Sequence, residues 1–179
     1  MTQPLSDAVP APCDHTSVGV LISSTVGLLV FERATSPVGI APVAGHIDAH
    51  GGPEQAAMNE VTEEVGLTVT RLHLLHEGWR TNRCRRPTDG TVGHQWTIFE
   101  AQTFGQLHPS AHEVRAPRWL HPDEVQQYAQ RTAAFAAGQV TAAEFEARPG
   151  LEPVWVRFLH DLQLVTMPGE ALDQIDEVI

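Results

Sequence analysis

The chain has 179 residues, of which 42% are hydrophobic, and this size and composition are typical of a globular protein with its own core. Its formal net charge is −11 and all 11 basic residues are arginines, which argues against sequence-independent nucleic-acid binding and against docking to an anionic membrane. Two cysteines are too few for a disulfide framework, and we find neither a secretory signal nor a membrane span, so we expect one cytoplasmic domain over residues 1–179.

The order of strand-like and helix-like runs indicates a mixed fold. We expect an irregular segment over 1–14, a hairpin of strands at 17–23 and 27–34, and a Pro- and Gly-rich loop over 35–45. A helix follows from Pro53 to about Val65. Later strands are expected at 67–80, 94–104 and 113–120, later helices at 121–138, 141–150 and 152–162, and a loose acidic tail at 163–179. This order predicts an α/β or α+β sandwich.

The helix predicted at 53–65 has two different faces. At 100° per residue its apolar residues form one stripe: Ala57, Met58, Val61 and Val65. Three carboxylates form a separate stripe: Glu60, Glu63 and Glu64. Carboxylates this close repel one another unless a cation lies between them, and oxygen ligands favour a hard ion such as Mg²⁺ or Mn²⁺. The alternative is an acidic face that is simply solvated.

The 23 residues of this region, 45–67, resemble the Nudix box, G-x5-E-x7-R-E-U-x-E-E-x-G-U, where U is a bulky aliphatic residue. Seven of its nine specified positions match: Gly45, Glu60, Val61, Glu63, Glu64, Gly66 and Leu67. Gly51 replaces the first Glu of the pattern, and Asn59 replaces its Arg. With the flanking strands and helix, the resemblance extends over residues 16 to about 135. It implies an α/β/α sandwich with a mixed central sheet, to which the C-terminal helices are an addition.

The resemblance also implies a reaction and a set of site residues. It implies hydrolysis of a diphosphate linkage, with Mg²⁺ or Mn²⁺, in a nucleoside diphosphate derivative or a related small organic pyrophosphate. Carried onto this sequence, Glu60 and Glu64 are metal ligands, and Glu63 is a third ligand or holds a water. The Gly45 carbonyl is a further ligand, and Glu113, outside the box, is the expected base or ligand. Relatives are frequently homodimers, so a homodimer is the implied assembly.

Cations for the substrate's phosphates are expected from the segment "WRTNRCRR" at 79–86. It contains four of the eleven arginines: Arg80, Arg83, Arg85 and Arg86. Guanidinium groups match phosphate oxygens with two hydrogen bonds, so we expect this cluster to bind substrate. Ion pairs with the abundant surface acids are the alternative.

Two other functions stay open. The departures at Gly51 and Asn59 also suit a Nudix-like module that binds nucleotides, has a regulatory role and hydrolyses them little. A Nudix-fold isomerase of an allylic diphosphate is the third option, and Cys84 is then the counterpart of its expected active-site cysteine.

Cysteine and histidine residues suggest a second metal site. The sequence offers two pairs: Cys13 with His15, and Cys84 with His94. If the first strand lies beside the strand at 94–104, the four side chains converge into a tetrahedral zinc set, which indicates a structural Zn²⁺. Their spacing matches no common zinc finger, so ordinary thiols and imidazoles without a metal are the alternative. His46 and His50 flank the box loop and are placed to contact phosphate or metal.

Overall fold

Seven strands and five helices follow one another in a computed structural model that describes residues 11–179. The strands are β1 (Thr16–Ile22), β2 (Leu28–Arg33), β3 (Ile40–Ala41), β4 (Val43–His46), β5 (Thr68–Arg80), β6 (His94–Phe104) and β7 (Val114–Leu120). The helices are α1 (Pro53–Glu60), α2 (Pro122–Ala136), α3 (Ala142–Ala147), α4 (Pro153–Asp161) and α5 (Gly169–Val178). Helix α1 continues as a wider π-helical turn over Val61–Val65. In the described part of the chain no helix combines the length and the apolar character that crossing a bilayer requires.

Within the described residues the strands form two sheets. The first has the order β4-β1-β6-β5 and is mixed, because β1 runs antiparallel to β4 and parallel to β6. The second has the order β3-β2-β7 and is antiparallel. The predicted mixed sheet is confirmed.

The predicted hairpin of the first two strands was wrong. β1 and β2 belong to different sheets and are joined only by an isolated bridge between Ser23 and Leu28. The predicted loop at 35–45 contains β3 and the first three residues of β4. The reason is burial: β1 is apolar on both faces, so it occupies the interior of a sheet, and the short β4 completes its free side.

Two hydrophobic clusters lie on opposite sides of β1. Val18, Val20 and Ile22 pack in the cluster that contains the buried face of α1, whereas Leu21 packs in the cluster formed with α2, α4 and α5. Alternate residues of a strand point to opposite faces, so one strand can serve both clusters. The α/β/α sandwich is thereby confirmed.

The apolar stripe of the box helix faces the core as predicted, with one change. The buried residues are Ala56, Ala57, Val61 and Val65, whereas Met58 is only half-buried. The helix begins with Pro53 and ends at Gly66, whose φ of 70° lies in the left-handed region that favours glycine.

The C-terminal segment is a packed helix, so the predicted loose tail was wrong. Leu172 and Ile175 of α5 are 7% and 0% exposed, because they lie one turn apart and contact the cluster that contains α2 and α4. The acidic character of this segment comes from residues on the other side of α5, which Glu177 exemplifies. Net charge over a segment did not reveal this apolar stripe.

We expect Ile175→Ala to lower the free energy of unfolding by about 2–5 kcal/mol, since it removes a fully buried aliphatic side chain from a packed core. Urea unfolding followed by circular dichroism measures the change. Glu177→Ala on the same helix is the matched control and should change stability by less than about 0.5 kcal/mol. Equal, small effects of both substitutions would mean that α5 is not docked.

Candidate active site and a neighbouring cysteine–histidine cluster

A cavity of about 260 Å³ lies between the end of β4, helix α1 and the loop at 81–93 that joins β5 to β6. The four glutamates that were predicted as site residues contribute to its wall: Glu60, Glu63, Glu64 and Glu113. Four arginines also line it: Arg33, Arg83, Arg85 and Arg86. The cavity therefore places carboxylates and guanidinium groups around one space, as a site for a cation and an anionic ligand requires.

The carboxylates of α1 are pressed against the backbone of β4. Glu64 is 7% exposed, and its Oε2 accepts a hydrogen bond from the backbone N–H of Ala44 at 3.1 Å. A Cβ atom at Gly45 would overlap the Glu60 carboxylate, so only glycine permits this approach. The π-helical turn widens the helix at this point, which is a feature frequent at functional sites.

Burial and mutual repulsion raise the pKa of the two inner carboxyl groups, Glu60 and Glu64. Burial, followed by the charge of Glu63 and that of Glu113, raises the pKa of Glu60 to about 7. Burial and then the charge of Glu60 raise the pKa of Glu64 well above its usual range. A divalent cation would favour the ionised forms, and carboxylate and carbonyl oxygens are the donors that Mg²⁺ or Mn²⁺ prefers. The donor set of Glu60, Glu64 and the Gly45 carbonyl fits such an ion, with the exposed Glu63 at the rim.

The two residues that depart from the box pattern, Asn59 and Gly51, lie near the end of α1 and in the loop before it. Asn59 is hydrogen-bonded to His50 through a nitrogen–nitrogen distance of 2.8 Å, and its Oδ1 accepts from Gln55 at 2.9 Å. Gly51 has a φ of 90° and open space around its Cα. The box pattern has an acidic residue at the position of Gly51 and a basic residue at that of Asn59. Both charges are absent here, so neither is left without its partner.

The predicted arginine cluster is divided between two places. Arg83 and Arg85 are exposed at the cavity, where an Arg85 nitrogen lies 3.6 Å from Glu113. Arg86 also lines the cavity and holds Asp48 with two hydrogen bonds of 2.7 and 2.8 Å. Arg80 lies elsewhere.

Arg80 is the last residue of β5 and faces the C-terminal helices. It forms an ion pair with Asp161 and lies over the ring of Phe158, with 4.9 Å between its Cζ and the ring centroid. Arg80 is therefore not in the cavity with the three loop arginines. Its place at the end of β5 sets it against the C-terminal helices, whereas the loop that follows β5 turns towards the cavity.

A buried ion pair at the cavity was not expected from the sequence. Glu152, just before α4, is 4% exposed, and its Oε2 lies 3.2 Å from an Arg33 nitrogen. Burial raises the pKa of Glu152, and the charge of Arg33 opposes this shift. The only available signal was the position of Glu152 immediately before Pro153, where a helix N-terminus favours a carboxylate.

At another part of the cavity wall, which His46, Cys84 and His94 line, four side chains with sulfur and imidazole donor atoms converge. The sulfur and ring-nitrogen atoms of Cys13, His46, Cys84 and His94 all lie within 4.8 Å of one another. The sequence predicts that cysteine and histidine side chains meet here if the first strand lies beside the strand at 94–104. The two strands do lie side by side, because β1 pairs with β6 through Thr16 and Gln95.

One member of this set differs from the prediction. The Nδ1 of His15 lies 2.9 Å from the Gly93 carbonyl and 3.9 Å from the Cys13 sulfur, and its Nε2 lies 3.4 Å from Asp89, so the ring borders the cluster without being a member of it. His46, at the end of β4, takes its place. The predicted set missed this because β4 was expected to be loop, and its pairing with β1 is what brings His46 beside Cys13.

The layered fold and the acidic, arginine-rimmed cavity define an α/β/α protein of the Nudix type. A family model of the NUDIX domain matches residues 14–143, which is most of the chain. The chain belongs to the Nudix family. Helices α4 and α5 follow the matched segment.

Solved structures share this fold. A MutT NUDIX hydrolase from Burkholderia pseudomallei matches with a TM-score of 0.53 and 18% identity, covering 61% of this chain and 84% of its own. The Escherichia coli dihydroneopterin triphosphate pyrophosphohydrolase gives 0.51 and 22%, covering 64% and 86%. The NUDIX domain of Shewanella oneidensis NrtR, complexed with ADP ribose, gives 0.52 and 15%, covering 69% and 82%. A search of curated proteins gave no significant match.

We expect Arg33→Met to lower the free energy of unfolding by about 3–5 kcal/mol near neutral pH, because it leaves the buried carboxylate of Glu152 unpaired. The folded-state pKa of Glu152 is already raised, and loss of Arg33 raises it further. An ionised buried carboxylate costs stability only above the unfolded-state pKa. In urea-unfolding measurements the destabilisation should therefore be small in acid and grow as the pH rises through the raised folded-state pKa of Glu152.

The double variant Arg33→Met, Glu152→Gln is the matched control, because it removes both charges together. It should recover most of the lost stability and show little extra dependence on pH. A double variant as unstable as Arg33→Met would contradict this role of the ion pair.

Proposed function

We propose that the protein is a divalent-metal-dependent hydrolase of a diphosphate linkage, in a nucleoside diphosphate derivative or a related small organic pyrophosphate. The observation that carries the proposal is the single cavity in which the glutamates of α1 face arginines of the loop at 81–93. Membership of the Nudix family supports the reaction class, and the NrtR domain bound to ADP ribose supports a nucleotide-like ligand.

The metal site proposed here consists of oxygen donors only. Glu60 and Glu64 would hold Mg²⁺ or Mn²⁺ together with the Gly45 carbonyl, and Glu63 would complete the set from the rim. When bound, such an ion supplies Lewis-acid polarisation of phosphoryl oxygens. The elevated pKa of Glu60 supports this assignment, since a nearby divalent charge would keep this carboxylate ionised at neutral pH.

The remaining residues would bind and orient the substrate. Arg83 and Arg85 are exposed at the cavity and present guanidinium groups to the phosphates. Arg86 is held by Asp48 and would contribute positive charge from a fixed position. Glu113 approaches from the side of β7 and is proposed as the base that accepts a proton from the attacking water, or as a further ligand.

A second function, nucleotide binding with little hydrolysis, is favoured by the surroundings of Asn59. Its amide is engaged by His50 and Gln55, so the guanidinium that the box places here has no substitute at this position. Under this proposal, nucleotides raise the melting temperature of the protein while little or no product forms. Robust turnover of a tested substrate by the purified protein would exclude it.

The double variant Glu60→Gln, Glu64→Gln should lower kcat/KM by roughly 10³-fold or more, because Lewis-acid catalysis supplies several kcal/mol of transition-state stabilisation. The measurement is phosphate or nucleotide release from a panel of nucleoside diphosphate derivatives and triphosphates, with Mg²⁺ or Mn²⁺. Folding should be preserved, because neutral glutamine removes the cost of burying two acids.

Glu54→Gln, an exposed glutamate in the first turn of the same helix, is the control and should retain full activity. Turnover that survives the double substitution, or that needs no divalent ion, would refute the proposed metal site.

The double variant Arg83→Ala, Arg85→Ala should raise KM by roughly 10–100-fold, since each hydrogen bond to a charged group contributes about 1.5–3 kcal/mol and exposure reduces this value. Steady-state kinetics on the best substrate of the panel measures the effect. Arg71→Ala, which removes an exposed arginine of β5 outside the cavity, is the control for losing a surface arginine. An unchanged KM in the double variant would remove the loop arginines from the binding site.

A further inference from the structure

The cysteine–histidine cluster draws its four members from separate parts of the chain. Cys13 precedes β1, His46 ends β4, Cys84 lies in the loop at 81–93 and His94 begins β6. His94 is 2% exposed and the other three are half-buried. Residues this far apart in sequence converge only through the pairing of β1 with both β4 and β6.

The spacing of the donor atoms suits a tetrahedral ion. Cys13 Sγ lies 3.2 Å from His94 Nε2 and 3.4 Å from His46 Nε2, and Cys84 Sγ lies 3.4 Å from the same His46 nitrogen. Zinc bonds of about 2.3 Å to sulfur and about 2.1 Å to nitrogen give a sulfur–nitrogen edge of about 3.5 Å in a tetrahedron. The observed distances are close to this edge.

The hydrogen bonds of Asn82 fix the orientation of the His94 ring. Trp96 Nε1 can only donate and lies 3.1 Å from Asn82 Oδ1, so this atom is the carbonyl oxygen of the amide. His94 Nδ1 lies 2.7 Å from the same oxygen and must therefore donate to it. The lone pair of neutral His94 is then on Nε2, which faces the two sulfurs. A polar partner on the outer nitrogen is the usual support of a metal-binding histidine.

Backbone amides support both sulfur atoms in the same way. The N–H of His15 donates to Cys13 Sγ at 3.4 Å, and the N–H of Arg86 donates to Cys84 Sγ at 3.3 Å. Each donor comes from the residue two positions after its cysteine. Such amide donors stabilise negative charge on sulfur, which is the form that binds a metal.

We propose that Cys13, His46, Cys84 and His94 bind one Zn²⁺ in a closed, structural site, separate from the oxygen-donor site at Glu60 and Glu64. Binding releases the two thiol protons, so two thiolates and two neutral imidazoles surround the ion. Four protein ligands leave no open position for substrate or water. Sulfur and imidazole donors select zinc over the hard ions suited to the carboxylates.

The proposed zinc positions one wall of the cavity without taking part in the reaction. His46 directly follows Gly45, which contacts Glu60, and Cys84 lies between Arg83 and Arg85. A zinc bound to both ligands therefore fixes the end of β4 relative to the arginine-bearing loop. The site is tested by metal content and spectra, so its outcome is independent of whether the protein hydrolyses diphosphates.

The direct test is the zinc content of protein purified in buffers free of added metal and chelator. We expect about one Zn²⁺ per chain by mass spectrometry of the metal. Cys13→Ser and Cys84→Ser should each reduce zinc to background. His15→Gln is the matched control and should keep full zinc, because the His15 Nδ1 is hydrogen-bonded to the Gly93 carbonyl and its Nε2 lies towards Asp89.

Cobalt exchange and a variant outside the ligand set keep the test decisive if the cysteine variants fold poorly. Co²⁺ in the wild-type protein should give the intense visible absorption of a tetrahedral ion and a thiolate charge-transfer band. Asn82→Ala retains all four ligands and should weaken zinc binding roughly 10–100-fold in competition with a chromogenic chelator. Circular dichroism checks that this variant remains folded.

Several results would overturn the proposal. Wild-type protein with neither zinc nor a cobalt–thiolate spectrum has no such site. A Cys13–Cys84 disulfide in freshly isolated, metal-free protein would also refute the zinc site, and it would be detected as a loss of free thiols. Zinc retained by the variant lacking both cysteines would place the ion elsewhere, and zinc lost from His15→Gln would refute this ligand set.

Discussion

The packing of the carboxylates of α1 against the backbone of β4 is the constraint on which the cavity depends. Gly45 lets the Glu60 carboxylate approach the strand, and the Ala44 amide holds Glu64 in the interior. Burial of acidic groups costs folding free energy, and here it raises the pKa of both side chains. A protein that keeps this arrangement retains an unfavourable charge distribution which a cation would relieve. A simply solvated acidic face therefore describes only the exposed Glu63, because Glu60 and Glu64 are partly or largely withdrawn from solvent.

Two kinds of donor atom meet at the end of β4. Gly45 is beside the oxygen-rich face of α1, while His46 points to the sulfur and imidazole group on the other side. A hard ion and a soft ion would occupy neighbouring positions that share one strand end, and the chemistry of the ligands would keep them apart. The proposed zinc would also link the residues just before β1, β4 and the loop at 81–93, which carries the exposed arginines. Catalytic positioning and local stability would thus rest on the same residues.

Local signals were enough for most elements and for the acidic part of the site. The spacing of Glu60, Glu63 and Glu64, with Pro53 before and Gly66 after them, determined a helix with one acidic and one apolar face. The strand at 94–104 was predicted with its observed bounds, because its aromatic and β-branched residues favour a strand and an Asp-Gly turn signal precedes it. Short strands gave no such signal. The two residues of β3 and the first three of β4 were predicted as loop, because pairing rather than propensity makes them strands.

The sequence by itself determined the family, the box helix and the kinds of donor atom available, because these depend on residue type and on spacing within one element. Only the tertiary structure decided which of those donors meet. Pairing of β1 with β4 brings His46 rather than His15 to the cysteines, and the direction of β5 sends Arg80 to Asp161 while its neighbours turn to the cavity. Convergence of residues from separate elements is set by strand order and packing, which no local pattern encodes.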